Sequence, residues 1–246
     1  MAVIRSSLLA VLLAVAACSD GASAPMEPVS PCRHQRFEGA GFIVCTPASA
    51  AALRLYAAPR GEPAKRRFRE LGLSDDKVAF AMNAGMFGTD GRPIGLAIAN
   101  GKPVRAINLR DGGGNFHLKP NGVFLVRKNG RAEIVESSRY QASGDIALAT
   151  QSGPMLVIGG SLHPKFEADG ESHNLRNGVG IAPGGTPLFV MTADPVSFGK
   201  FARFFRDRLH SRDALYFDGS VSSLWDPANG RMDDFTDLGP VIVALK

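Results

Sequence analysis

Short apolar runs separated by turn-forming residues recur along most of the chain, and this alternation is typical of β-strands. Three pairs of runs flank strong turn signals, at Asn100-Gly101, at Asn129-Gly130 and at Gly184-Gly185. Such dipeptides join neighbouring strands in hairpins because they tolerate the backbone conformation that a tight turn requires. The pattern therefore predicts a twisted and largely antiparallel sheet.

Two segments show helical spacing. The clearer one is amphipathic, with Ser197 placed to cap its N-terminus and an apolar face made of Phe198, Phe201, Ala202, Phe205 and Leu209. The other is a basic segment at residues 62–73. Helices that pack on a sheet make an α+β architecture. We predict one α+β domain over residues 32–246, a largely antiparallel twisted β-sheet with a few packed helices.

The N-terminus has the pattern of an export signal. A positively charged start precedes an unbroken apolar run from Leu8 to Ala17, which is too short to span a membrane. Cys18 directly follows small residues, as in a bacterial lipobox, where the cysteine becomes lipidated after cleavage. We expect a signal peptide at 1–17, lipidation of Cys18 and a flexible tether at 18–31. Ser19, which follows the cysteine, favours the outer membrane.

These features predict a periplasm-facing lipoprotein of the bacterial cell envelope, attached to the membrane through a lipid anchor on Cys18. The alternative is an ordinary signal peptide with an incidental cysteine, which would leave a soluble periplasmic protein. Either route implies an oxidising compartment.

The two remaining cysteines, Cys32 and Cys45, bracket a segment that has the pattern of a β-hairpin around a turn at Gly39–Gly41. A hairpin brings its two ends together, where a disulfide can form. A metal site or a redox pair is the alternative, but the spacing fits neither a CxxC motif nor a zinc motif. We therefore predict a Cys32–Cys45 disulfide.

Charge adds little to this picture. The 246 residues include 28 basic and 23 acidic side chains, for a net charge of +5. The basic residues are scattered, with local density at 65–69 and at 200–212, and they do not form the aromatic-interleaved patch of a nucleic-acid interface. We expect no nucleic-acid partner, and the mild positive field favours an anionic substrate.

Polar side chains follow several buried strands at the point where each strand ends. Asn83, Gln151 and Asp218 each follow an apolar run and stand close to a glycine, and Arg176 precedes another run. A rigid sheet can aim such groups into a shared cleft, and glycine lets a ligand approach the backbone. The alternative for each residue is an ordinary turn, a backbone contact or a surface ion pair.

A second polar cluster extends from Asn108 to Gly122 and contains three consecutive glycines. A mobile loop that brings Asn115 and His117 over a cleft is the favoured interpretation, and an exposed turn is the alternative. The P-loop pattern is absent, as are a Gly-x-Ser-x-Gly elbow and HExxH-like metal spacing. We therefore predict no cofactor, assign no metal ligands and leave a metal requirement open.

Four motifs in order along the chain resemble the phosphodiester glycosidase family: Ala81–Phe87, Gln151–Leu156, Arg176–Ile181 and Leu215–Ser223. The segment Asn115–Gly122 is similar to a bacterial branch of that family. The sequence departs from the family pattern at Ala84, Met86, Ser220 and Val221.

The resemblance implies hydrolysis of a sugar-1-phosphodiester at the anomeric carbon. With the export signal, an envelope glycan is one candidate substrate. A phosphate leaving group needs little protonation, so one carboxylate and a cation can suffice where ordinary glycosidases use two carboxylates. On this basis Asp218 is the catalytic carboxylate and Arg176 the phosphate clamp. The expected substrate contacts come from Asn83, Gly85, Asn115, His117, Gln151, Ser152, Gly153, Gly219, Ser220 and Ser222.

Three questions stay open at this point. If Asp218 needs a second carboxylate, Asp194, Asp111 and Asp90 are unranked candidates. A non-catalytic lipoprotein that binds a glycan or phosphoglycan is one competing function. A metal-dependent phosphodiesterase, which cuts P–O rather than C–O, is the other.

Overall fold

The computed structural model describes residues 30–246, so the predicted signal peptide, Cys18 and nearly all of the tether lie outside the described residues. The described residues form one α-helix, α1 (Phe198–Arg203), and 17 strands. In chain order the strands are β1 (Cys32–Phe37), β2 (Ala40–Cys45), β3 (Leu53–Tyr56), β4 (Val78–Asn83), β5 (Ala97–Ala99), β6 (Lys102–Arg105), β7 (Gly122–Arg127), β8 (Ala132–Glu136), β9 (Ile146–Ser152), β10 (Met155–Ile158), β11 (Ser161–Leu162), β12 (Asn177–Ile181), β13 (Pro187–Thr192), β14 (Ala214–Tyr216), β15 (Leu224–Asp226), β16 (Arg231–Met232) and β17 (Val241–Leu245).

The strands form three sheets in which every described pairing is antiparallel. One has seven strands in the order β1-β2-β13-β12-β14-β10-β11, and the other two have five strands each, β16-β15-β4-β17-β3 and β6-β5-β9-β7-β8. The predicted hairpins are confirmed: β5 pairs with β6, β7 with β8, and β12 with β13. At the first of them Asn100 and Gly101 have φ angles of 51° and 73°, the left-handed conformation of a tight hairpin turn.

A central apolar core lies where the three sheets meet. It combines Phe189 and Leu215 of the seven-stranded sheet with Phe80 and Ile242 of one smaller sheet and Phe124 of the other. All five residues are fully buried. Strand residues alternate in direction, so the same strands present a second face outward, and short helical segments and loops cover it.

The predicted largely antiparallel sheet is confirmed, but the described residues contain little helix, so the fold is closer to mainly β than to the predicted α+β class with a few packed helices. The amphipathic segment forms only six residues of α-helix before a π-helical turn at Phe204–Arg208. Its predicted details are otherwise confirmed, since the Ser197 hydroxyl accepts the Lys200 amide at 3.1 Å and Phe201 is fully buried. The segment packs on the outer face of the seven-stranded sheet.

The predicted basic helix at 62–73 is wrong. Only a 3-10 turn forms there, at Phe68–Leu71, preceded by the extended Arg67 and ended by Gly72 at φ 70°. Pro63 lacks an amide proton, and Arg67 and Arg69 are drawn to carboxylates of the 233–238 loop. These tertiary ion pairs replace the helical repeat, while Phe68 keeps its predicted burial.

The predicted N-terminal hairpin and its disulfide are confirmed, because β1 pairs with β2 and Cys32 is bonded to Cys45. The turn lies at Glu38-Gly39, just before the predicted position, since Phe37 pairs with Ala40. Within residues 30–246, no helix has the length and apolar character that a membrane crossing requires.

Candidate active site

The four motifs converge where the end of β14 meets the start of β12 and the end of β4. Strands β12 and β14 are antiparallel neighbours, with Gly178 opposite Tyr216, and the Phe217 amide donates to the Asn177 carbonyl at 3.0 Å. Continuing this register by two residues places Arg176 opposite Asp218. Directly opposed residues of an antiparallel pair point to the same face, so the two predicted catalytic side chains share one face of the sheet edge.

A pair of buried asparagines holds this edge together. The Asn177 amide donates to both the carbonyl and the Oδ1 of Asn83 at 2.9 Å, and Asn83 Nδ2 donates to the Asp218 carbonyl at 2.7 Å. Asn83 Oδ1 also accepts the Ser223 amide. Both side chains are at most 1% exposed. Asn83 therefore positions the Asp218 loop, which corrects its predicted role as a substrate contact.

Asp218 presents one free carboxylate oxygen. Its Oδ1 accepts the Ser220 hydroxyl at 2.5 Å and the Ser220 amide at 3.3 Å, whereas no described residue donates to Oδ2. The main chain is fixed on the other side, because the Asp218 amide donates to the Ala84 carbonyl at 3.1 Å. The side chain is half-buried. A carboxylate with a pinned orientation and one open oxygen suits attack on, or stabilisation of, an electrophilic carbon.

Arg176 is far more enclosed than a simple phosphate clamp. It is 1% exposed, its Nε donates to the Val196 carbonyl at 2.8 Å, and its Nη2 donates to the Ser172 carbonyl at 2.6 Å. Its guanidinium lies 3.6 Å from the ring centroid of Phe198. Burial lowers the pKa of Arg176. The predicted bidentate clamp is therefore corrected, because two of the three nitrogens are already used by main-chain carbonyls.

Tyr216, the last residue of β14, stands two residues before Asp218 and lies close to Arg176. The Arg176 guanidinium is 5.8 Å from its ring centroid. Burial raises the pKa of Tyr216, and the negative charge of Asp218 contributes to the rise. Side chains two residues apart in a strand share a face, so the alternation Tyr216, Asp218 was an available signal. Asn177 was likewise missed, although it follows Arg176 directly.

The remaining residues of the Asp218 loop support its conformation. A Cβ at Gly219 would overlap the Tyr216 phenol oxygen, so only glycine fits beneath that hydroxyl. Ser222 Oγ donates to the Gly219 carbonyl at 3.0 Å and contacts Asn177 Oδ1 at 3.4 Å. Ser220 binds the Asp218 carboxylate, as described above. The described polar contacts of Ser220 and Ser222 therefore hold the loop around Asp218.

A pocket of about 330 Å³ opens on the other side of Phe198. Its lining includes Asn115, Lys165 and Ser172, and Ser172 is also the residue that holds Arg176. Asn115 is the predicted contact that reaches this pocket. His117 points elsewhere, since its Nδ1 contacts the Arg110 carbonyl at 3.0 Å within the same loop.

Gln151 is a structural residue rather than the predicted substrate contact. Its Oε1 accepts the amides of Leu96 and Asn108, each at 2.9 Å. Its Nε2 donates to the Asn108 carbonyl at 2.7 Å and to Ser137 Oγ at 3.0 Å. All four hydrogen-bonding positions of the amide are occupied and the side chain is 1% exposed. Gln151 thus anchors the start of the loop that carries Asn115.

Replacing Gln151 by Leu should lower the free energy of unfolding by about 3 kcal/mol, because four buried polar groups lose their partner. That corresponds to a fall in Tm of roughly 6–12 °C for a domain of this size. Hydrogen exchange of the Leu96 and Asn108 main-chain amides with solvent should become faster. Gln35→Leu is the matched control, since Gln35 is only half-buried and contacts Arg208 alone. Unchanged stability with lost substrate affinity would restore the predicted binding role.

Three further predicted contacts are buried packing positions. A Cβ at Gly85 would collide with the Gln151 carbonyl, and one at Gly153 would lie 2.6 Å from Asn121 Cβ. Ser152 is fully buried, and its hydroxyl has no partner in the described chain. These residues bring β4 and β9 close together. None of them makes a described contact with the Asp218 side chain.

None of the three candidates for a second carboxylate contacts Asp218. Asp194 Oδ2 accepts the Gly41 amide at 2.8 Å, Asp111 pairs with Lys119, and Asp90 pairs with Arg92. Over residues 30–246, His, Cys, Asp and Glu side chains nowhere form a group of three or more that could hold a metal ion.

Comparison with known proteins places these motifs in context. A model of the phosphodiester glycosidase family matches residues 76–233. The uncharacterized protein YigE of Escherichia coli strain K12 is 36% identical over 152 residues, which covers 62% of this chain and 59% of YigE. The chain therefore spans less than two thirds of that relative's length.

Solved structures share the fold at low identity. The catalytic domain of zebrafish N-acetylglucosamine-1-phosphodiester alpha-N-acetylglucosaminidase, auto-inhibited by its pro-peptide, matches with a TM-score of 0.61 at 15% identity, over 87% of this chain and 81% of that chain. A hypothetical protein from Synechocystis matches with a TM-score of 0.54 at 14% identity, over 87% of this chain and 61% of that chain. At such identities the likeness shows the fold.

Proposed function

The chain belongs to the phosphodiester glycosidase family, and from this premise we propose that it hydrolyses the glycosidic bond of a sugar-1-phosphodiester. Asp218 is the residue that acts on the anomeric carbon. The observation that carries the proposal is its geometry: one oxygen is fixed by Ser220, and the other is free on the face that Arg176 shares.

The chemistry follows from the leaving group. The bond between the anomeric carbon and the phosphate oxygen breaks, and its electron pair leaves with the phosphate monoester. That anion is stable without protonation, so a single carboxylate beside the oxocarbenium-like carbon replaces the usual pair. Water adds its oxygen to the anomeric carbon, and the proton that it releases goes to the phosphate monoester or to solvent. The buried positive charge of Arg176 favours the departing anion.

The test is a panel of sugar-1-phosphodiesters incubated with the full-length chain in ¹⁸O-labelled water. Hydrolysis that places ¹⁸O on the sugar supports the proposal. Label in the phosphate would instead indicate a phosphodiesterase that cuts P–O. Saturable binding of the whole panel without turnover would indicate a glycan-binding protein.

We further propose that the protein acts in the bacterial cell envelope as a lipoprotein anchored through Cys18. The Cys32–Cys45 disulfide supports export, because such bonds persist in oxidising compartments.

Replacing Cys18 by Ala should move the protein from the membrane fraction to the soluble periplasmic fraction and abolish its labelling by radioactive palmitate. Cys32→Ser is the control for the loss of a cysteine, and it should keep the lipid label. A Cys18→Ala variant that still pellets with membranes and takes up palmitate would refute the anchor.

A further inference from the structure

Arg176 alone offers too few free donors to hold a phosphate, which raises the question of what completes the anion site. Phosphate oxygens are strong acceptors and are held by several converging donors. Nε and Nη2 of Arg176 donate to the carbonyls of Val196 and Ser172. Nη1 is therefore the guanidinium nitrogen left for a ligand, and one further donor has to stand beside it.

The Tyr216 hydroxyl is placed to be that donor. The Tyr216 ring centroid lies 5.8 Å from the Arg176 guanidinium, and the phenol oxygen lies against Gly219. No described residue accepts a hydrogen bond from this hydroxyl, so its proton is left for a ligand. The glycine at 219 makes this approach feasible, because any Cβ there would overlap the phenol oxygen.

The surroundings also keep the phenol both rigid and neutral. Tyr216 is 3% exposed, and its ring packs edge-on against Phe198 at 4.8 Å and against Phe201 at 6.4 Å. Burial raises the pKa of its hydroxyl. The proton therefore stays on the oxygen at neutral pH, and a neutral phenol can donate to an anion that a phenolate would repel.

Access is consistent with a ligand role. The buried polar atoms that lack both a partner and contact with solvent are Arg66 Nη1, Ser152 Oγ, His163 Nε2 and Ser211 Oγ. Neither the Tyr216 oxygen nor Arg176 Nη1 is among them, and no described residue is hydrogen-bonded to either atom, so both atoms keep some contact with solvent. The two donors lie on the face that Asp218 occupies, because Tyr216 and Asp218 are two residues apart at the end of β14.

We propose that the Tyr216 hydroxyl and Arg176 Nη1 form the donor pair that binds the phosphate oxygens of the substrate, on the face that the Asp218 carboxylate shares. This inference rests on the proposed function and names the phosphate subsite within it. Tyr216 is then a binding residue for the phosphate, and the positive charge of Arg176 strengthens its donation.

The test measures binding of inorganic phosphate to the full-length chain by isothermal titration calorimetry, which needs no turnover. Tyr216→Phe should weaken phosphate binding roughly 10- to 100-fold, the range expected for a hydrogen bond to a charged group. It should also raise KM for a phosphodiester glycoside more than it lowers kcat. Tyr140→Phe, which changes a half-buried tyrosine in the turn after β8, should leave both quantities unchanged. Asp218→Asn should abolish turnover yet bind phosphate at least as tightly, since a negative charge is removed.

The outcomes separate this inference from the proposed function. Phosphate affinity that depends on Tyr216, in a chain that hydrolyses no phosphodiester glycoside, supports the donor pair and refutes the hydrolase. Turnover that persists in Tyr216→Phe with phosphate affinity within twofold of the unmodified chain refutes the donor pair and leaves the hydrolase standing. Absence of any phosphate binding by the unmodified chain also overturns the inference.

Discussion

Turnover should fall on the order of 10⁴-fold when Asp218 is replaced by Asn, the scale of loss seen when a catalytic residue is removed from an enzyme. The carboxamide keeps the size of the carboxylate, and its Oδ1 can still accept the Ser220 amide and hydroxyl. It lacks the negative charge that the anomeric carbon requires in the transition state. The loss should therefore appear in kcat, measured as release of phosphate monoester.

The fold should survive this change. The side chain is half-buried, and the main chain of Asp218 is held independently by Asn83 and by the Ala84 carbonyl. We expect a change in Tm of less than about 2 °C. Asp76→Asn is the matched control, because this carboxylate is exposed and lies on a different loop. An Asp218→Asn variant that retains more than a tenth of the activity would remove Asp218 from the mechanism.

Gly219→Ala is the second change with a large expected effect, because one methyl group enters a space that the Tyr216 hydroxyl fills. The added Cβ would overlap the phenol oxygen and lie 2.8 Å from the ring carbon that bears it. Either Tyr216 or the Asp218 loop has to shift. Overpacking of this kind costs about 1–3 kcal/mol. The same shift would move Tyr216 away from Arg176, so turnover should fall at least roughly 100-fold.

Two comparisons isolate the steric cause. Gly144→Ala adds a methyl group in open space and should leave Tm and activity unchanged. Combining Gly219→Ala with Tyr216→Phe removes the phenol oxygen from the contact and should recover part of the lost stability, although not the activity. Losses in the double variant that equal the sum of the two single variants would show that the two residues do not interact.

The hairpins and their turns were open to prediction because they are local. An Asn-Gly pair readily adopts the left-handed backbone of a tight turn, as Asn100-Gly101 does, and flanking apolar residues then pair across the turn. The β1–β2 hairpin follows the same logic, and its disulfide depends only on the hairpin ends being adjacent. The helix predicted at 62–73 was wrong for the opposite reason, because its arginines form ion pairs with carboxylates of the distant 233–238 loop.

The same contrast separates the proposed catalytic pair, Asp218 and Arg176, from the residues that hold it in place. The order of the motifs placed Asp218 and Arg176 together, and the β12–β14 register agrees with that placement. The roles of their neighbours could not be assigned in advance. In the sequence, Gln151 and Asn83 have the pattern of ligand-binding amides. In the structure, each side chain is hydrogen-bonded to main-chain groups that are remote in sequence.

The sequence by itself thus predicted the strand positions, the turns, the disulfide and the family motifs, since each depends on neighbouring residues or on a short pattern. Which polar groups remain free to meet a ligand depended on folding, because a hydrogen bond between Gln151 and Asn108, or between Arg176 and Val196, exists only after separate strands pack together. Tyr216 shows this most directly: its hydroxyl becomes a candidate ligand for phosphate only when burial, Arg176 and the absence of a side chain at Gly219 act on it at once.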